Sequence, residues 1–136
     1  MQTRAVKDGD EWVLNGEKRW ITGAGYADFA VVFARAIVDG EDAGITAFMV
    51  DTDTEGWNIH SRIDVIRPKD PFEIHLDDMR VPDRAMFGDV GEGFELAASG
   101  VRASRILYSA AHLGIARKAL EMALEYAKQR ETLLIG

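Results

Sequence analysis

The chain has 136 residues, of which 47% are hydrophobic, so it can form a packed domain and is not expected to be disordered. Its formal net charge of −7 argues against a surface that binds nucleic acids or anionic membranes. The absence of cysteine excludes disulfides and thiolate chemistry and is compatible with a reducing compartment. No apolar run approaches the length of a membrane span, and the N-terminus lacks a signal-peptide core, so we expect a cytoplasmic protein.

The first two thirds of the chain have the pattern of a β-protein. Short apolar segments alternate with turn residues such as those at 8–9, 39–40 and 55–56. Strands at this spacing, without a strand–helix–strand unit, predict an antiparallel β-barrel or sandwich. The predicted strands are 3–7, 11–14, 17–22, 29–36, 45–51, 57–63 and 72–76.

A hairpin turn is predicted at Asn15-Gly16, because both residues tolerate the positive φ of a two-residue turn. The strand after it would bring Trp20 and Thr22 to one face, since side chains alternate with period two. With the small residues at 23–25, this face would leave room for a flat ligand that has a hydrogen-bonding edge. The residues alone favour the plainer interpretation, in which the tryptophan belongs to the core and the threonine to an ordinary strand.

The β pattern ends at Val81-Pro82 and is followed by a glycine-containing loop at 88–93. From Phe94 onward the pattern is helical, with a turn or kink predicted near Gly100–Ser104 and a long helix predicted from about 105 to 131. Its apolar stripe is so wide that the helix is expected to be buried among other helices. Both ends of the sequence read as cut from something longer, so the partner helices would lie in other copies or beyond the C-terminus. The predicted fold class is α+β, an antiparallel β-domain followed by a long C-terminal helix.

The residues themselves do not identify a reaction. His60, His75 and His112 lie on separate predicted elements without the regular spacing of metal ligands, so no metal site is predicted. The serines lack a nucleophile elbow. The glycines at 88–93 follow no buried parallel strand, which argues against a dinucleotide fingerprint.

Four stretches, in order along the chain, form a larger pattern. They are NGEKRWITGA at 15–24, GITAFMVDTDTEG at 44–56, LDDMRVP at 76–82 with GDVGEGF at 88–94, and Arg105 with AHLGIARKAL at 111–120 and YAKQRET at 126–132. Together they resemble the acyl-CoA dehydrogenase family over nearly the whole chain. The resemblance implies that residues 1–88 form the middle β-barrel domain of that family. Residues 89–136 would begin its C-terminal domain, a four-helix bundle.

The resemblance also implies an FAD-dependent oxidoreductase of fatty acid metabolism that acts on acyl-CoA thioesters. The α carbon loses a proton and the β carbon transfers a hydride to flavin N5, which leaves a trans-2,3 double bond. Carried over to this sequence, Trp20 packs against the flavin rings and Thr22 hydrogen-bonds near N5. Backbone groups of Ile21 and Thr22 line the same edge. Such contacts orient and tune a cofactor that performs the redox chemistry.

Further site residues implied by the resemblance lie toward the C-terminus. Arg130 and Thr132 match positions that reach the FAD pyrophosphate of a neighbouring subunit, where an arginine fork suits phosphate oxygens. Arg105 matches an arginine at the edge of the active site. The residues that would face the acyl chain are Val101, Ser104 and Tyr108. We expect a homo-oligomer that forms through this apolar helix.

The sequence departs from the family pattern in places. In most members the catalytic glutamate lies beyond the position of residue 136, and a minority carry the base where this chain has Ser104. A serine cannot take an α proton as a carboxylate does, so no catalytic residue is predicted and the chain alone is expected to be inactive. Leu133-Leu134 replaces the expected Phe-Gly, and 65–71 replaces a longer loop.

Two alternatives remain open from the sequence. One is a relative within the superfamily, an acyl-CoA oxidase or a flavin monooxygenase, which would differ in how the reduced flavin reacts with oxygen. The other is a non-catalytic β-domain whose apolar helix drives oligomerisation. Flavin absorbance in the purified protein would favour the enzymes, and a colourless protein would favour the non-catalytic domain.

Overall fold

A computed structural model describes residues 2–66 and 70–131. The chain divides into two compact units, Met1–Ala97 and Ala98–Gly136, and each is described by itself. Among the described residues, the first unit contains seven strands, and the second consists of helix and the two residues after it. The domain boundary at 88/89 stays a prediction.

Seven strands form one sheet in the first unit. Their bounds are β1 Arg4–Asp8, β2 Glu11–Thr22, β3 Phe29–Val38, β4 Glu41–Asp51, β5 Trp57–Arg62, β6 Pro71–Pro82 and β7 Met86–Phe87. The order across the sheet is β5-β6-β2-β1-β3-β4-β7, and neighbours are antiparallel except for the parallel pair β1 and β3. The predicted α+β class is confirmed. The described strands leave the sheet open, so barrel or sandwich is only an approximate description.

The core of this unit lies on one face of the long strands. Trp12 and Leu14 of β2 pack with Phe48 of β4 and with Leu76 and Met79 of β6, all almost completely buried. The rings of Trp12 and Phe48 meet edge to face, with centroids 5.4 Å apart. Alternate residues of β2 are buried over this stretch, as expected for a strand with one covered face.

The hairpin predicted at Asn15-Gly16 is wrong, because β2 continues through both residues. The pairing of β2 with β6 shifts register between Leu14 and Gly16 instead. The Asn15 side chain donates to Asp78 Oδ1 at 2.9 Å and accepts from the Asp78 backbone N–H at 2.8 Å. Gly16 has φ 137°, and a Cβ there would lie 2.7 Å from the Cα of Thr3. The glycine is therefore required by a close approach of two backbone segments.

Strand β6 is longer than the sequence predicted, extending six residues beyond Leu76. Asp77 and Asp78 look like turn residues, and Asp78 does take a left-handed φ of 47°. The sheet nevertheless continues, because Met79 and Val81 bury their side chains beyond it. Two further differences are the earlier start of β4 and the short strand β7, which follows a single 3₁₀ turn at Asp83–Ala85.

The helix α1 spans Gly93–Gln129 without the break predicted near Gly100. A glycine in a helix costs only about 1 kcal/mol relative to alanine, so the helix-forming residues around it prevail. Glycine matters more at the start of α1, where a Cβ on Gly93 would lie 2.8 Å from the carbonyl oxygen of Ile45. Among the described residues, no helix combines the length and apolar character needed to cross a membrane.

Candidate functional site

The candidate site lies at the C-terminal end of β2, where the strand is irregular. Lys18 pairs with Ile74 of β6, but Ile21 pairs with Phe72, so three steps on β2 match two on β6. One extra residue is thus inserted into β2. Such bulges bend a strand and re-aim its side chains, and they occur often beside functional sites.

Trp20 lies in this bulge with an unusual backbone conformation. Its φ is 65°, in the left-handed region that large L-residues rarely adopt. A non-glycine residue held there costs about 1–3 kcal/mol, which the surrounding structure must offset. The indole is 60% exposed, so it is not held in place by burial in the core. Among the described residues, Trp20 is the one aromatic residue in the left-handed region, where the other non-glycine residues are Asp39 and Asp78.

The loop that follows β2 is tightly folded and anchored to β6. The backbone N–H groups of Tyr26 and Ala27 donate to the carbonyl of Gly23 at 2.9 and 3.1 Å. Tyr26 packs edge-on against Phe72, with ring centroids 5.5 Å apart. A Cβ on Gly25 would lie 2.6 Å from the Phe72 ring, so a glycine is needed for this contact. The loop therefore holds the end of β2 in a defined position.

Ile21 and Thr22 complete the strand end. The Thr22 side chain is exposed, whereas Ile21 is half-buried and lines an apolar cavity of about 230 Å³. The cavity is bounded by Lys18, Ile21, Ala30, Val31, Val32, Phe33, Trp57 and Ile74. Lys18 Nζ donates to the Phe33 carbonyl at 2.6 Å, and burial lowers the pKa of this ammonium group.

The alternation that predicts Trp20 and Thr22 on one face is interrupted, because an extra residue is inserted into β2 between Lys18 and Ile21. The plainer interpretation of Trp20 as a core residue is wrong, since its indole is largely exposed. Both side chains reach the surface instead. Nothing in the sequence around Trp20 signals the bulge, because the pattern there is that of a continuing strand.

The other predicted site residues lie on α1 or just after it. Val101 and Tyr108 are exposed, and Ser104 Oγ donates to the Val101 carbonyl at 3.0 Å. These residues and Arg105 recur at spacings of three and four, which places them on one side of a helix. Arg130 is exposed immediately after the helix, with its N–H donating to the Tyr126 carbonyl at 2.9 Å. Thr132 and Leu133-Leu134 lie outside the described residues.

Comparison with known proteins identifies the family. The family model for the acyl-CoA dehydrogenase middle domain matches residues 1–79. The chain belongs to the acyl-CoA dehydrogenase family. The model for the acyl-CoA dehydrogenase C-terminal domain matches residues 91–134, so the two family domains occur here in order.

Relatives of this acyl-CoA dehydrogenase family chain are much longer than it is. It is 42% identical over 134 residues to a probable acyl-CoA dehydrogenase, YngJ, of Bacillus subtilis, covering 96% of this chain and 35% of that protein. It is 43% identical over 137 residues to a 3-sulfinopropanoyl-CoA desulfinase of Paraburkholderia xenovorans, with the same coverage of 96% and 35%. A crystal structure of a glutaryl-CoA dehydrogenase from Mycobacterium smegmatis, in complex with FADH2, matches with a TM-score of 0.79 and 36% identity, covering 98% of this chain and 33% of that one. The chain thus spans about a third of the length of these relatives.

The structure also brings into contact two histidines that lie on separate predicted elements of the sequence. The imidazole rings of His60 and His75 stack with centroids 4.2 Å apart and planes within 10°. A residue count along the chain cannot reveal this contact, because it depends on the pairing of β5 with β6.

Proposed function

We propose that this chain is the flavin-binding part of an FAD-dependent oxidoreductase that acts on acyl-CoA thioesters. The observation that carries the proposal is the exposed indole of Trp20, held in a left-handed conformation two residues before the exposed Thr22. An exposed aromatic ring and an exposed hydroxyl two residues apart in the sequence suit a flat heteroaromatic ligand with polar edge atoms. Residues held in such strained conformations cluster at active sites and ligand-binding positions.

The types of residue at the end of β2 are suited to binding a flavin. The Trp20 ring offers a stacking surface, Thr22 offers a hydroxyl, and the half-buried Ile21 adds an apolar wall. When bound, FAD would supply the redox chemistry by accepting the hydride from the β carbon of the substrate. The protein's part here would be to hold the ring system, to hydrogen-bond its edge and to exclude water from one side.

The second part of the proposal concerns the helix. Residues 89–136 would begin the C-terminal domain, with Val101, Ser104, Arg105 and Tyr108 facing the acyl-CoA substrate. Arg130 and Thr132 would bind the FAD pyrophosphate of another copy, because a guanidinium pairs well with phosphate oxygens. The serine at 104 offers no carboxylate, so the chain by itself would not turn over acyl-CoA. A cytoplasmic location likewise stays a prediction.

Assembly through the helix belongs to the same proposal. From Val101 to Tyr126 the large apolar side chains of α1 are between 49% and 74% exposed in the second unit as described. Apolar surface of this extent is usually covered by another chain or domain. We propose that further copies of this chain cover it.

A second candidate reaction comes from one relative. The 3-sulfinopropanoyl-CoA desulfinase is 43% identical to this chain, about as similar as the probable dehydrogenase from Bacillus subtilis. A desulfinase of a CoA thioester is therefore a specific alternative to dehydrogenation. An acyl-CoA oxidase or flavin monooxygenase relative would be distinguished by oxygen consumption of the reduced protein, and a non-catalytic β-domain by the absence of bound flavin.

The decisive experiment is a flavin titration of the 136-residue chain. FAD is added while tryptophan fluorescence and flavin absorbance are recorded, for the wild type, for Trp20→Ala and for a control, Phe87→Ala. Phe87 is also an exposed aromatic residue, but it lies on β7 at the far edge of the sheet from β2. We expect Trp20→Ala to weaken FAD binding at least about tenfold, since an indole stack contributes both buried area and aromatic contact. Phe87→Ala should bind as the wild type does. Equal affinity in Trp20→Ala and wild type would contradict the proposal.

A further inference from the structure

A polar cluster lies on the face of β6 opposite to the core. Glu73 and His75 alternate with the buried residues Phe72, Ile74 and Leu76, so both point away from the core. His75 pairs with Asn58 of β5 on one side and with Glu17 of β2 on the other. The cluster thus draws on three adjacent strands.

His60 joins the cluster through an irregularity in β5. Ile59 pairs with Ile74 and Ser61 pairs with Glu73, so His60 is an extra residue on β5. An inserted residue re-aims its side chain relative to the regular ladder. As a result the His60 ring stacks on the His75 ring, with centroids 4.2 Å apart.

The polar atoms of the cluster lie close enough together to share one metal ion, and those around His75 Nε2 are too far apart for hydrogen bonds. One ligand atom each from His60, Glu73 and His75 lies within 4.8 Å of the other two. His75 Nε2 is 3.6 Å from Glu73 Oε1 and 4.0 Å from Glu17 Oε1. Hydrogen bonds to nitrogen are about 2.7–3.2 Å long. Two ligands at the usual tetrahedral zinc distances lie about 3.3 Å from each other.

The burial of His75 Nε2 and its lack of a hydrogen-bond partner in the described part of the chain also favour a metal site. This atom is out of contact with solvent and has no hydrogen-bond partner among the described residues. Buried polar atoms in native proteins are nearly always paired, and an unpaired one calls for an explanation such as an ion. Arg19 Nε lies 3.3 Å from Glu73 Oε2, which fixes that side of the carboxylate and leaves Oε1 toward His75.

We propose that His60, Glu73 and His75 bind one divalent cation of the zinc class. Two imidazoles and one carboxylate suit zinc and its neighbours in the first transition row, whereas magnesium and calcium prefer oxygen ligands only. Glu17 is placed to supply a fourth ligand. The two stacked rings are nearly parallel, and the lone pair of an imidazole nitrogen lies in the plane of its ring, so stacked rings cannot both point at one ion. His60 is exposed, and its ring must turn before both histidines coordinate the same ion. Metal binding therefore ends the stack. The site uses neither Trp20 nor Thr22, so it stands apart from the flavin proposal.

The test is isothermal titration of the tag-free 136-residue chain with zinc chloride and, separately, with magnesium chloride. We expect one zinc ion per chain and no magnesium binding. His60→Ala, His75→Ala and Glu73→Gln should each weaken zinc binding at least tenfold, because even the loss of a group that only orients a ligand typically costs about that much. His112→Ala is the matched control, because this third histidine lies on α1 with Nδ1 2.6 Å from the Tyr108 carbonyl oxygen. Zinc affinity should be unchanged in this variant.

A second measurement covers the case in which a variant fails to fold. Zinc is added to the wild-type chain while the ring protons of its three histidines are followed by NMR. The signals of His60 and His75 should shift together and saturate at one equivalent, and those of His112 should not move. Zinc affinities that are equal in wild type and His75→Ala would overturn the proposal. So would a wild-type chain that binds no zinc, or shifts confined to His112.

Discussion

The left-handed conformation of Trp20 makes a prediction about stability that does not depend on any ligand. We compare Trp20→Gly with Trp20→Ala, because both variants lose the indole and differ only in the Cβ. At an ordinary strand position, glycine is less stable than alanine by about 0.5–1 kcal/mol. A Cβ in the left-handed region costs about 1–2 kcal/mol. At Trp20, with φ 65°, the order should therefore reverse, and glycine should be favoured by about 0.5–1 kcal/mol.

The matched pair is Glu17→Gly and Glu17→Ala, at an exposed position on the same strand outside the left-handed region. Here alanine should be favoured, so the two pairs should differ by about 1–2 kcal/mol in the free energy of unfolding. For a unit of this size, 1 kcal/mol corresponds to about 4–8 °C in Tm. Thermal unfolding followed by circular dichroism can resolve such differences. If alanine is more stable than glycine at both positions by the same margin, the backbone at Trp20 is not strained, and the main physical argument for the site fails.

Two further predictions concern packing and assembly. Gly16→Ala should destabilise the chain by about 2–4 kcal/mol, because its Cβ would lie 2.7 Å from the Thr3 backbone. The control Gly40→Ala should cost only about 1 kcal/mol, because nothing lies within 4 Å of a Cβ at that position. Urea unfolding midpoints test this, and equal losses would show that the close approach to Thr3 is absent. In size-exclusion chromatography with light scattering, the measured mass of the wild-type chain should exceed that of a monomer. The double variant Leu113→Glu/Leu120→Glu should be monomeric, because it places two charges on exposed apolar positions of α1. Lys118→Glu on the same helix is the control, and a monodisperse wild-type monomer would refute the assembly proposal.

Local patterns in the sequence were enough to predict most of the β-structure and its class. The turn at Asp8-Gly9 depends on residues that are adjacent in the chain, and it is present, with Asp8 paired to Glu11. The long apolar helix was also predicted, because its period is a local property of the sequence. The helical pattern is also predicted to begin at Phe94, one residue after the observed start at Gly93, but its continuity through Gly100 is not predicted. Gly100 predicts a break in the helix, but the free-energy cost of one glycine is small compared with the stability of the surrounding helical residues.

Only the tertiary structure determines where residues that are distant in sequence meet. Asn15-Gly16 carries the local signature of a turn, yet the glycine is there because the Thr3 backbone passes too close for a side chain. The insertion that strains Trp20 arises from the register of β2 against β6, and the contact of His60 with His75 arises from the register of β5 against β6. From its own residues the sequence only raised Trp20 and Thr22 as a possible ligand face, and the resemblance to a family assigned them their roles. Register between strands depends on the packing of the whole sheet, so no window along the chain contains the information that shapes these sites.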